Sequence, residues 1–146
     1  MIVNIWEFLD LIQAHITSLN PGFPVYAGKP NDELEWKACY FYQVSQWPKI
    51  ADDSTGVHKK ESLMEFVVIS GQKNTPDVEL YEMLSSIVNK IILEEGAAWE
   101  LPGGFKIWSI REWSQSGVFT DVKERPYIIA QFHFIYQSRY ATLPRL

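Results

Sequence analysis

Residues 120–140, TDVKERPYIIAQFHFIYQSRY, decide how this chain is read. The even positions Ile128, Ala130, Phe132, Phe134 and Tyr136 form an unbroken apolar row. The odd positions Tyr127, Ile129, Gln131, His133, Ile135 and Gln137 mix apolar with polar. A period of two marks a β-strand, because successive side chains point to opposite faces of a sheet. One face of this strand therefore meets the core. In a plain monomer the other would be more polar, so Tyr127, Ile129 and Ile135 point to a second sheet or a neighbouring subunit.

Working outward, the spacing predicts a helix over 4–19, with Ile2, Ile5, Leu9, Ile12, Ile16 and Leu19 on one side. Asn4 and Glu7 have capping-box spacing, and Asn20-Pro21-Gly22 stops the helix. A short extended piece, FPVYAG, precedes a strand over 36–44, where Trp36, Ala38, Tyr40, Tyr42 and Val44 share a face. A second strand covers 62–71. The segment between them, about 45–61, is too long for a tight hairpin and reads as a long flexible loop.

Thr75-Pro76 reads as an N-cap with a first-turn proline, opening a helix that runs to about residue 94. Its expected buried stripe is Val78, Tyr81, Leu84, Ile87, Val88, Ile91 and Ile92. Gly96 ends it, LPGG turns the chain into a strand over 105–113, and the final strand covers 127–137. Strands in runs with helices between them predict one α+β domain over 1–146: an antiparallel or mixed sheet with two helices packed on one face.

Composition narrows the function classes. A chain of 146 residues, 47% hydrophobic and 21% charged, is globular and large enough for a core without staples. Thirteen basic against eighteen acidic residues give a net charge of −5, which disfavours a nucleic-acid binder. A lone Cys39 leaves no internal disulfide and no cysteine-based metal site, and it favours a reducing compartment. The N-terminal stretch carries Glu7 and Asp10 without a basic n-region, and no run approaches a membrane span, so a soluble cytoplasmic product is expected.

The motifs of catalysis and cofactor binding do not surface. Pro102-Gly103-Gly104 lacks the Gly-Lys-Ser/Thr that holds phosphate and magnesium, and reads as a tight turn. His15, His58 and His133 are scattered, with His15 expected on the solvent side of its helix. Asp52-Asp53 near His58 could be drawn as an acid–base or metal cluster, yet a Ser/Thr/Gly loop offers no rigid support for one. Cys39 has no sequence partner that would activate it. No catalytic residue, cofactor or metal is expected, and the chain does not read as an enzyme.

The order of elements, and most of all FKIWSIREWSQSGVFTDVKERPYIIAQFHFIYQ over 105–137, resembles the tail terminator (tail completion) proteins of long-tailed bacteriophages. A strand, a linker holding Asp121 and Arg125, and an aromatic-rich last strand follow each other as in that family. The resemblance implies a structural subunit assembling into a six-membered ring on the head-proximal end of the tail tube. Such a ring ends tube polymerisation and presents a surface to a head-connector or neck protein. It implies assembly in the bacterial host cytoplasm and a place in the virion at the head–tail junction. Partners would be the chain itself, the tail tube protein and the connector, with no membrane and no sequence-specific nucleic acid. A negative net charge suits a lumen through which DNA slides.

On that reading the candidate subunit interface is Trp108, Trp113, Asp121, Arg125, Tyr127, Ile129, His133 and Ile135, with Asp121 and Arg125 tying the last loop to a neighbour. The long loop, with Trp47, Lys49, Asp52, Asp53, His58, Lys59 and Lys60, would reach the tail tube or the lumen. Arg139, Tyr140 and Arg145 would pack on an adjoining component. Two alternatives stand beside it. One is another head–tail neck or joining protein. The other is a small-ligand-binding module with a pocket lined by Trp36, Tyr40, Tyr42 and Trp108.

Overall fold

A computed structural model describes residues 5–29, 37–46, 51–52, 58–70, 72–94 and 96–137. The chain is an α+β fold in which two helices cover one face of a mixed, curled sheet. In order, its elements are α1 (Ile5–Ser18), β1 (Val25–Ala27), β2 (Ala38–Gln46), β3 (Ala51–Asp52), β4 (His58–Ile69), α2 (Asp77–Ile91), β5 (Trp99–Glu100), β6 (Lys106–Gln115), β7 (Phe119–Thr120) and β8 (Pro126–Gln137). The strand order is β1-β2-β4-β8-β6-β5, with β3 on β4 and β7 on β8. Only the β1–β2 pairing is parallel among these ladders.

The even row of β8 lies at the centre of the core, as its alternation requires. Ile128, Ala130, Phe132, Phe134 and Tyr136 are all buried, under α1 through Phe8, Leu9, Ile12 and Ile16 and under α2 through Leu80, Leu84 and Ile87. Aromatic rings knit the layer: Phe66 of β4 stacks on Phe41 at 5.1 Å and meets Phe132 edge-on at 5.0 Å. Side-chain hydrogen bonds tie α1 to β1, and α2 to the loop between α1 and β1. The Ala27 amide donates to Gln13 Oε1 at 2.8 Å, and Ser86 Oγ donates to the Pro21 carbonyl at 2.6 Å.

The second helix departs from its expected outline in three ways. Its core stripe is Leu80, Met83, Leu84, Ile87 and Ile91, while Val78 and Tyr81 face solvent. A stripe that includes Val78 and Tyr81 is rotated by roughly one position, because Met83 and Leu80 are equally apolar at the same spacing. Pro76 occupies the N-cap itself, and the Thr75 hydroxyl turns back to the Gln72 carbonyl and to Ser70 Oγ. The helix ends at Ile91, with Ile92 already extended, five residues before Gly96. In α1, Phe8 joins the buried side that its spacing from Ile12 allows.

The strands reach further than periodicity suggested. β2 runs on to Gln46 and β4 starts at His58, so both ends of the expected long loop are strand. Between them Ala51 pairs with Lys59 and Asp52 with His58. Trp36, Trp47, Lys49, Asp53, Arg139, Tyr140 and Arg145 lie outside the described residues. The turn at Pro102–Gly104 needs its glycines: Gly103 and Gly104 have φ of 76° and 83°, which L side chains rarely adopt.

Register breaks fall between Gln43 and Ser45 in β2 and at Trp108 and Trp113 in β6. Both strands lie at the sheet's flanks once β1 and β5, of three and two residues, run out. A bulge increases local twist and spoils a flat edge, so these positions blunt strand-to-strand addition.

Candidate interaction surface

The face of the sheet turned away from the helices carries the odd row of β8. Cross-strand partners arrange it in rows. Ala38, Ile69, Tyr127 and Phe119 form the first, and Tyr26, Tyr40, Val67 and Ile129 the second. Tyr42, Glu65, Gln131 and Ser114 follow, then Leu63, His133 and Arg111, then Glu61, Ile135 and Ser109. The mixed character of the β8 sequence thus resolves into an apolar end and a charged end.

At the apolar end Ala38, Tyr40, Val67 and Ile69 are buried, with Tyr42, Tyr127 and Ile129 partly covered around them. Tyr26 tilts against Tyr40 at 5.3 Å and Phe119 against Tyr127 at 5.7 Å. Burial raises the Tyr40 phenol above its ordinary value and nearby Tyr26 adds to the rise, while Arg125 opposes it. For Tyr42, burial again comes first, followed by the charge and hydrogen bond of Glu65 across the strand pair.

The turn between β7 and β8 is locked from within. Asp121 Oδ1 accepts the amides of Lys123 at 2.9 Å and Arg125 at 2.8 Å, and Oδ2 accepts Arg125 Nε and Nη2, each at 2.8 Å. The Asp121 amide donates to the Arg125 carbonyl, and Glu124, at φ 61°, donates to the Asp121 carbonyl. Burial would raise the Asp121 carboxyl, but the Arg125 and Lys123 amides and the guanidinium together hold it below its usual range. The expected tie between Asp121 and Arg125 thus closes within one chain, and the Arg125 side chain is only 7% exposed. This rigid turn holds Val122, 95% exposed, out into solvent, and Phe119 beside it on β7 is 50% exposed against Tyr127.

At the charged end His133 Nε2 lies 2.7 Å from Glu61 Oε1. Arg111 sits directly across from His133 and is exposed. Trp108 Nε1 donates to Gln137 Oε1 at 3.3 Å, and Lys106 Nζ lies 3.8 Å over its ring while pairing with Glu100 at 3.1 Å. Of Trp113, Asp52, His58 and Lys59 only the backbone is described; Lys60, beside Tyr136 in register, is half-buried.

Sequence reasoning missed Phe119 and Val122, whose only signal was two apolar residues inside a polar linker. It also missed Glu61, Glu65 and Arg111, which are ordinary surface residues until the register sets them side by side. His15 is not on a solvent face: its ring packs against Trp99 at 4.2 Å, and burial lowers its pKa. Cys39 is fully buried, which pushes its thiol well above the ordinary value.

Tyr40 and Tyr42 lie on β2 and Trp108 on β6, with β4 and β8 between them, so these aromatics do not line one pocket. A cleft of about 150 Å³ opens elsewhere, at Lys37, Ser70, Gln72 and Glu79. Among the described residues no group of three His, Cys, Asp or Glu side chains converges as metal ligands, and no helix is long and apolar enough to cross a membrane.

No family model and no curated protein sequence matches this chain. Twenty-nine chains of solved structures do match in shape. One of them is similar over 94% of this chain and 93% of its own length, with a TM-score of 0.54 at 12% sequence identity. A likeness that remote establishes a shared fold alone.

Proposed function

We propose that this chain is a phage or prophage structural protein of the tail-terminator type, which caps the head-proximal end of the tail tube as a ring of copies. The observation that carries the reading is the locked turn: six polar contacts within residues 121–125 fix a loop from which Val122 projects into solvent, with Phe119 half exposed beside it on β7. A pre-ordered turn presenting apolar side chains loses little entropy on docking, which favours a protein contact. On the other side of the sheet, α2 turns Val78, 62% exposed, and Tyr81 to solvent. Apolar side chains displayed from the two faces of the sheet, at the end where Lys73 before α2 pairs with Glu124 of the turn at 3.1 Å, suit the heterologous contact from which rings are built.

On this reading the chain catalyses nothing, needs no cofactor, and meets the tail tube protein and a head-connector protein at the head–tail junction. The test is to polymerise tail-tube subunits of the encoding phage with and without the protein and measure tube lengths by electron microscopy. Shortened tubes carrying a ring at one end are expected. Tube lengths unchanged by an excess of folded protein would sink the proposal, and binding to the portal-side ring instead would favour a joining protein.

A further inference from the structure

The charged half of the outer face divides by strand. Glu61 and Glu65 lie on β4, Arg111 lies on β6, and β8 runs between them with Ile129 and Ile135 on its outer row. Arg111 occupies the row between those of the two acids, three strands across. The pattern is self-complementary: a two-fold axis parallel to β8 keeps each row in place and exchanges the two sides. It would bring Arg111 of one copy between Glu61 and Glu65 of the other, with Ile129 and Ile135 meeting their own copies on the axis.

We infer that the free protein pairs with a second copy through this face, sheet on sheet. Stacked sheets pack about 10 Å apart, close enough for side chains of opposite charge to meet. The axis on β8 lays β4, β8 and β6 of one copy over β6, β8 and β4 of the other, and three strands about 4.8 Å apart over five rows about 6.7 Å apart give roughly 500 Å² per copy. The total, about 1,000 Å², is what weak, transient pairs bury, so the pair is reversible and salt-sensitive. The inference does not rest on the ring reading, which uses Val122 and the solvent side of α2. The two share Phe119 in the first row of this face, so pair and ring compete for it. The inferred contact is isologous, where the ring requires a heterologous one.

Sedimentation velocity from 1 to 200 µM tests it, with circular dichroism and melting to certify the fold of each variant. Wild type is expected to shift from monomer to dimer, and to return toward monomer in 0.5 M salt. Arg111→Glu makes both sides acidic, and Glu61→Lys/Glu65→Lys makes both basic, so each alone should lose at least tenfold in dimer affinity. Mixed, the two should form a one-to-one heterodimer, which no head-to-tail contact predicts. If the double variant unfolds, Arg111→Glu carries the test by its own tenfold loss. A wild type monomeric at 200 µM, an Arg111→Glu variant that dimerises like wild type, or well-folded variants that fail to complement would each overturn the inference. Tube capping without dimers would leave the ring reading standing alone, and dimers without capping would do the reverse.

Discussion

Replacing Asp121 by alanine should cost this fold far more than an ordinary surface ion pair. The carboxylate accepts two side-chain bonds from Arg125 and two backbone amides, all between 2.8 and 2.9 Å. Removing it leaves the Arg125 guanidinium, 7% exposed, without its carboxylate. Breaking a buried pair by deleting one partner costs about 3–5 kcal/mol. The Asp121 side chain is 20% exposed, so water softens part of that, and about 3 kcal/mol is the expected loss. For a chain of 146 residues this corresponds to a fall in Tm of roughly 10 °C.

The pH dependence gives a second, independent reading. The folded pKa of Asp121 is depressed, so the unfolded state binds its proton more readily. The stability it contributes is fully present above the unfolded carboxyl pKa of about 3.9 and is lost as pH falls through the lower folded value. Urea unfolding of wild type and Asp121→Ala should therefore diverge most at neutral pH and converge below about pH 4. Replacing both partners, as in Asp121→Ala/Arg125→Met, should recover part of the loss, because no buried charge is then stranded. A loss under about 1 kcal/mol at pH 7, the range of exposed pairs, would refute the view that this turn is locked by a desolvated pair.

Three further outcomes test other parts of the fold. Phe66→Ala removes a fully buried ring that touches Phe41 and Phe132, and should cost about 3–5 kcal/mol in urea unfolding, ranking it among the most damaging single truncations. His15→Gln should remove a pH dependence: burial lowers the folded pKa of His15, so wild type loses stability as pH falls below about 6.5 while the variant loses less. Equal slopes for the two proteins between pH 7 and 5 would contradict the packing of His15 on Trp99. Cys39 should react with a thiol reagent only as fast as the β2–β4 sheet opens, so labelling in native buffer should be slow and should accelerate with urea in step with unfolding.

How far the sequence carried depends on what each pattern encodes. The alternation in β8 is a statement about two faces, and it placed the core row residue by residue because only one face could be all apolar. The helices were legible as helices, but α2 was misphased: Val78, Tyr81, Leu80 and Met83 are all apolar, and only the sheet beneath decides which arc is buried. Strand extension to Gln46 and from His58 was not legible, since polar residues such as Ser45, Gln46 and Lys59 carry little strand propensity and take their conformation from a partner across the ladder. Asp121 and Arg125 were recognisable as a pair, yet their spacing says nothing about whether the pair closes at home or on a neighbour; the amides of Lys123 and Arg125 decide it.

The outer face shows why such a surface cannot be judged from one strand. Along β8 alone, Tyr127, Ile129 and Ile135 look like one scattered apolar row. Register separates them: Tyr127 and Ile129 join Tyr40, Val67 and Ile69 in a cluster already partly buried, while Ile135 lies between Glu61 and Ser109 among charges. The first two thus serve the subunit's own packing before they serve any partner, and among the described residues the exposed apolar side chains are Tyr26, Val44, Val78, Tyr81, Phe119 and Val122. The bulged flanks of β2 and β6 turn association away from the sheet edges, where backbone pairing would have no natural end. What is left for partners is faces and a turn, surfaces whose side-chain pattern sets how many copies can join.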